Sequence, residues 1–214
     1  MSQIKLVVFD MDGTIIEPRS SWAMIHDYFG TDNTEMLQMY IDHKISDKEF
    51  VKADIKLWNS KSDVPVNEEY INSILDEAKP RKGAEELITS LHEAKIKTII
   101  LSGGIQYLAD KWAKEWNMDD ALANDLIDDK NGDLTAIIKS SGHNKGPVME
   151  KMIEKYNFNK NEIAAVGDTV VDIPTFERAG LSIAVNTEDE RVINKANYHL
   201  KGDLTELKSL ILNW

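Results

Sequence analysis

Four apolar runs of strand length constrain this chain more than any other feature: "IKLVVF" (4–9), "KTIIL" (97–101), "IAAVG" (163–167) and "LSIAV" (181–185). They are nearly continuous, without the polar alternation of a strand that wets one face. Such runs suit strands buried on both faces, as in a parallel sheet between layers of helix. Parallel strands need long crossovers, and helical candidates are present: "GAEELITSLHEA" (83–94), "IQYLADKWAKEW" (105–116) and "GPVMEKMIEKY" (146–156). Pro147 falls in an expected first helical turn, where no N–H is needed. From residue 83 onward the chain therefore reads as α/β, a parallel sheet flanked by helices. One stretch departs from the alternation. "LIDDKNGDLTAII" (126–138) carries Asn131-Gly132 between apolar arms, a hairpin signal.

Residues from about 20 to 79 follow a different period. Trp22, Ile25 and Phe29 fall at helical spacing, as do Phe50, Ala53 and Leu57. Ser46 with Glu49 predicts a capping box, and Asn67 opens a further helix, "NEEYINSILDEA". The breaker cluster Lys79-Pro80-Arg81-Lys82-Gly83 then returns the chain to strand-and-helix alternation. So long a helical segment is more than a connection. It predicts a separate small helical module over 16–79, with the α/β domain formed by 1–15 and 80–214. Trp22, Tyr40 and Trp58 are expected to pack inside that module.

Charge and composition exclude some classes of function. The net charge of -12, from 37 acidic and 25 basic residues, repels a nucleic-acid backbone, and the basic residues are scattered. No apolar stretch approaches the roughly 20 residues that cross a bilayer. The absence of cysteine rules out disulfides and thiolate chemistry. With no export signal in "MSQIKLVVFD", these features predict a cytoplasmic protein without nucleic-acid or membrane partners.

Each of three strand runs ends in polar residues: Asp10, Asp12 and Thr14 after the first, Ser102 and Gly103 after the second, Asp168 and Asp172 after "IAAVG". Ligand sites in open α/β sheets form outside the carboxyl ends of the strands, so these segments are expected to converge. Asp10, Asp12 and Asp168 offer hard oxygen ligands suited to Mg²⁺. Such a cation would offset repulsion between the paired carboxylates. Ser102 and the Gly103 N–H precede a helix candidate, whose start favours phosphate oxygens, although Ser102 also suits a plain N-cap. Lys145, just before a helix, or Lys139 would supply positive charge. Asp172 suits either a helix cap or support for the site. His26 and His143 have no partner at metal-ligand spacing and are expected to be surface or packing residues. Together these groups suit phosphoryl transfer.

"DMDGT", "LSGG", Lys145 ahead of a helix, and "GDTVVD" stand in the order of the four motifs of the haloacid dehalogenase superfamily. Over essentially its whole length the chain resembles the phosphoserine-phosphatase-like branch, with a helical cap after the first motif. The resemblance implies a Rossmann-like core and a cap over 16–79. It further implies that Asp10 is a covalent nucleophile and Asp12 a general acid and base. Asp10, the Asp12 carbonyl and Asp168 would hold Mg²⁺. Ser102, Gly103 and Lys145 would hold the phosphate, Thr14 would orient the loop, and Asp172 would lie just behind, ordering water or Lys145.

Two positions depart from the branch. Where its members place a glutamate for the substrate ammonium, this chain has Arg19; where they place a cap arginine for the carboxylate, it has Leu57. Phosphoserine is therefore a poor expectation. Arg19 suggests a leaving group bearing an anion or several hydroxyls, or is a surface residue near the cap hinge. The expected function is a Mg²⁺-dependent phosphomonoesterase acting on a small phosphorylated metabolite. The alternatives are a phosphotransferase with the same site and a non-catalytic phosphate-responsive binding protein.

Overall fold

A computed structural model describes residues 4–141 and 144–214. His143 lies outside the described residues. One seven-stranded sheet has the order β4-β3-β2-β1-β5-β6-β7. Its strands are β1 (Leu6–Phe9), β2 (Lys97–Ile105), β3 (Asp120–Asp128), β4 (Leu134–Ile137), β5 (Ile163–Gly167), β6 (Leu181–Val185) and β7 (Tyr198–Leu200). Every pairing is parallel except β3–β4, the hairpin expected from Asn131-Gly132. Gly132 takes φ +82°, a left-handed conformation that glycine adopts without strain. The apolar runs predict the five inner strands less β3, whose mixed sequence "DALANDLID" carries no such signal.

The sheet is buried on both faces, and β1 shows how. Val7 and Phe9 join a cluster with α5 (Ala84–Glu93) and α6 (Gln106–Glu115) through Leu87, Leu91 and Leu108. Leu6 and Val8 point the other way, into a cluster with Met149 and Met152 of α7 (Lys145–Glu154). Each such side chain contributes roughly 1.5–3 kcal/mol when taken from water. Alternate residues feeding two apolar layers account for a sequence without polar alternation. Short α8 (Ile173–Phe176), α9 (Glu190–Ile193) and α10 (Leu207–Leu212) complete the layers.

Between β1 and α5 the described elements are all helical: α1 (Ser21–Phe29), α2 (Thr34–Ile41), α3 (Asp47–Asn59) and α4 (Glu68–Leu75). The Ser46–Glu49 capping box forms, and Asn67 caps α4 by accepting from the Tyr70 N–H. The two connections to the sheet run side by side. Glu17 N–H donates to Lys79 O, and Arg81 N–H to Ile15 O, each at 2.9 Å. The buried face of α3 is not the expected Phe50/Ala53/Leu57 stripe but Val51, Asp54 and Trp58, one position further on. A buried polar cluster explains the rotation. Trp58 Nε1–H donates to His26 Nδ1 at 3.2 Å, which leaves the ring proton on Nε2, 3.2 Å from Asp54 Oδ1. Periodicity of apolar residues cannot register a face that buries an aspartate. No described helix is long and apolar enough to cross a membrane.

Candidate active site

The strand order puts the ends of β2, β1 and β5 side by side, and the polar clusters meet there. Lys145, the first residue of α7, reaches across the sheet edge with its side chain 2% exposed. Its Nζ lies 2.6 Å from Asp10 Oδ1 and 2.5 Å from Asp172 Oδ1. Burial opposes the ammonium charge, but the two carboxylates outweigh it and hold the Lys145 pKa well above the lysine range. Lys139, the rival cation, instead pairs with Asp125 at 2.7 Å on β3.

Asp10, Asp168 and Asp172 bring carboxylate oxygens within 4.8 Å of one another. Both Asp172 oxygens are already engaged. Oδ1 meets Lys145, and Oδ2 accepts the backbone N–H groups of Asp168 and Thr169 at 3.0 Å. Asp172 is thus a brace for Lys145 and the β5 loop, and also part of a cap on that loop. Burial, then the charge of Asp172, pushes Asp168 up to about 7. Burial also raises Asp10 well above the carboxylate range, Asp172 and Asp168 adding to it and Lys145 only partly offsetting it. Carboxylates that resist ionisation together, arranged as hard oxygen donors, fit a divalent cation.

Asp12 stands apart from this group. Its Oδ2 accepts the N–H and Oγ–H of Ser21, at 2.7 and 2.8 Å, while Oδ1 is buried and has no partner among the described residues. Burial raises its pKa, and the Ser21 bonds only moderate the rise. A buried carboxyl with one anchored and one free oxygen is suited to carrying a proton.

The remaining expected residues take less direct places. The fully buried Thr14 hydroxyl donates to Asp168 Oδ1 at 3.1 Å, so it positions that aspartate. Ser102 caps no helix: β2 continues to Ile105, and its Oγ accepts the Gly104 N–H at 3.1 Å. The Gly103 carbonyl is held by Asn124 Nδ2 at 2.8 Å and Trp22 Nε1 at 3.1 Å. That fixes the peptide of the second motif against both β3 and α1. Arg19 is exposed and does not line the cavity that opens beside Gly103. His26 is buried, as packing, beside Asp54.

A model of the haloacid dehalogenase-like hydrolase family matches residues 4–180. The chain belongs to the haloacid dehalogenase-like hydrolases. The hydrolase is 31% identical to phosphoserine phosphatase of Archaeoglobus fulgidus over 189 residues, which cover 86% of this chain and 53% of that protein. It therefore spans about half the length of that relative. It is 27% identical to phosphoserine phosphatase of Methanocaldococcus jannaschii, covering 84% of each chain. A substrate-bound phosphoserine phosphatase superposes with a TM-score of 0.79 at 26% identity, over 99% of this chain and 100% of that one. A phospho-aspartyl intermediate analogue of phosphoserine phosphatase gives 0.79 at 26% identity, covering 98% and 99%. The hydrolase is a phosphatase of the phosphoserine-phosphatase-like branch.

Three supporting residues of this hydrolase escape a motif reading, and a fourth stands inside a motif. Ser21 anchors Asp12, and Asn124 fixes the Gly103 peptide. Arg81 Nη2 donates to Gly13 O at 2.7 Å. Gly13 itself takes φ +73°, and a Cβ there would stand 2.3 Å from Asp168 Oδ2. The glycine of "DMDGT" was a usable signal, since a glycine directly after paired acids marks a tight turn or a close approach. Ser21, Arg81 and Asn124 carry no such mark.

Proposed function

We propose that the protein is a Mg²⁺-dependent phosphomonoesterase that works through an aspartyl-phosphate on Asp10, acting in the cytoplasm on a small phosphorylated metabolite. The observation that carries this reading is the pairing of two unlike carboxylates. Asp10 is held by the Lys145 ammonium, whereas Asp12 keeps a free, buried oxygen on an anchored side chain. In this reading an Asp10 oxygen attacks phosphorus and the bond to the leaving oxygen breaks. Asp12 gives its proton to that alkoxide. It then takes a proton from water, whose oxygen attacks phosphorus and frees Asp10 and inorganic phosphate. Lys145 offsets charge on Asp10 and the transferring group. Asp10, the Asp12 carbonyl and Asp168 would hold Mg²⁺, which supplies charge stabilisation for the phosphoryl oxygens. Ser102 and the Gly103 N–H would receive the phosphate. Helices α1 to α4 would form the cap, with residues 16–79 as its extent.

Phosphoserine is a weak candidate despite the relatives named for it. Among the described residues no arginine or lysine lines the cavity beside Gly103, so none of them offers a substrate carboxylate a permanent cation there. Nothing in the comparisons favours transfer to a second acceptor or a non-catalytic role. The reading is tested by phosphate release from a panel of phosphorylated compounds with Mg²⁺ or with EDTA. Asp10→Asn should lower release at least about a thousandfold while the fold persists. Release that survives both EDTA and Asp10→Asn would overturn the mechanism.

A further inference from the structure

The cavity beside the phosphate site has a volume of about 470 Å³, and its walls say what should fill it. Gly103 joins it to the second-motif strand end, Val171 to the loop that carries Asp168 and Asp172, and Ser141 to the connection that leads to Lys145. Whatever is esterified to a phosphate held there must extend into it. The rest of the wall is largely apolar or aromatic: Trp22 from α1, Leu37, Tyr40 and Ile41 from α2, Phe50 from α3, and Ile138 from the hairpin.

Two further features bear on the occupant. Helix α2 has no buried residue, yet Leu37, Tyr40 and Ile41 share one face at i, i+3 and i+4. Leu37 is 40% exposed and Ile41 53% exposed, and both line the cavity. The apolar face of this helix is thus left bare on the side where substrate would lie, and an apolar occupant would take it from water. Among the described residues the ionisable groups of the wall are Asp47, His26 and Tyr40, and all three have partners within the protein. Asp47 Oδ1 accepts the Tyr40 hydroxyl at 2.6 Å, while His26 bonds to Trp58 and lies against Asp54. A leaving group bearing a carboxylate would lose water without gaining a cation, and would face Asp47 besides.

We propose that the cavity selects phosphate monoesters of uncharged, apolar alcohols, with an alkyl chain or a ring, over phosphorylated amino or hydroxy acids. This inference rests on the phosphomonoesterase reading and names its substrate class. It also replaces the anionic or polyhydroxylated leaving group that Arg19 suggests, since Arg19 does not line the cavity.

The test is kcat/KM with Mg²⁺ for methyl, butyl, hexyl and 3-phenylpropyl phosphate, beside phosphoserine, phosphoglycolate and phosphocholine. Simple alkyl esters share leaving-group basicity, so a trend among them reports the pocket. The expected result is a rise of about fourfold per methylene until the cavity is filled, with hexyl phosphate at least about tenfold above phosphoserine. Acetyl phosphate, a small activated donor, separates the two levels of the argument. If it turns over with dependence on Asp10 while the alkyl series is flat, or phosphoserine, phosphoglycolate or phosphocholine leads, the pocket inference falls and the phosphatase reading stands. If neither acetyl phosphate nor any ester turns over, that reading falls and takes the inference with it. Ile41→Arg, at a half-exposed position, should shift the hexyl phosphate to phosphoglycolate ratio at least about tenfold toward the anion. An unmoved ratio would overturn the inference.

Discussion

The floor and the roof of this site are built on opposite principles. On the floor, at the edge where the strands end, Lys145, Asp10 and Asp172 are buried, and Lys145 ties together carboxylates from two different strand ends. On the roof, α2 buries nothing and leaves Leu37 and Ile41 half in water. The floor is preorganised for one reaction, since its charges are placed before substrate arrives. The roof is completed only by what binds. Chemistry and selection therefore belong to separate regions, and substitutions in each should fail in different ways.

The largest effect should come from the floor. Lys145→Met keeps the bulk of the side chain but leaves the Asp10 and Asp172 carboxylates buried without their cation. Breaking such a pair costs on the order of 3–5 kcal/mol. Urea unfolding should show about 3 kcal/mol lost at pH 8 and clearly less at pH 5, where Asp10, already raised by burial, takes up a proton. Turnover should fall at least a hundredfold. An equal, small loss at both pH values would mean that the lysine is a spectator.

Next is the cost of the carboxylates themselves. Burial and the Asp172 charge raise Asp168 to about 7 in the folded protein, above its ordinary value of 3.8, and Asp10 is raised in the same direction. A carboxyl with a raised folded pKa binds its proton more tightly when folded. Its contribution is therefore complete below about pH 4 and is lost as pH climbs toward 7. In EDTA the melting temperature should fall by several degrees between pH 5 and pH 8, an effect on the order of 2–4 kcal/mol. Added Mg²⁺ should restore more at pH 8 than at pH 5, because there no protons must leave first. A flat profile in EDTA would show that the cluster relaxes when empty and is less rigid than the contrast with the roof requires.

Ser21 stands where the two regions meet, at the first turn of α1 and against Asp12. Ser21→Ala removes one of two bonds that moderate the raised pKa of Asp12, so that pKa should rise further. The basic limb of the kcat profile should move to higher pH, and turnover should drop about tenfold with KM little changed. Ser21→Thr, which keeps a hydroxyl, should restore the profile. A loss of rate without any movement of the limb would reduce Ser21 to packing.

The same division explains what could be read from sequence. The acids of the floor were legible because they follow the ends of strands, and strands buried on both faces announce themselves as apolar runs, as β1, β2, β5 and β6 all did. Lys145, by contrast, showed only as a lysine ahead of a helix. The fold of the helical segment was legible in kind, through the capping box at Ser46 and the cap at Asn67. Its facing was not. Asp54 is wholly buried on α3 because His26 meets it, and a pairing across 28 positions leaves no periodic trace. Ser21 and Asn124 were invisible for a related reason. Each acts by hydrogen bonds to residues distant in sequence, on Asp12 and Gly103, and polar residues in such roles look like any surface serine or asparagine. Arg19 misled in the opposite sense, since nearness in sequence to the first motif did not bring it to the cavity.

The smallest effect should come from the roof. Leu37→Ser removes an apolar side chain that is already 40% exposed, on a helix without a buried residue. Folding takes little from such a position, so unfolding free energy should change by no more than about 0.5 kcal/mol. Neither Asp10 nor Lys145 lines the cavity, and kcat should stay within about twofold. What should change is KM for an apolar ester, which ought to rise roughly fivefold as the occupant loses a wall. A KM rise without loss of stability would show that Leu37 serves the ligand and not the fold. The reverse, a destabilised protein with KM unchanged, would mean that α2 is held by its own packing, and the separation of floor from roof would have to be redrawn at α3.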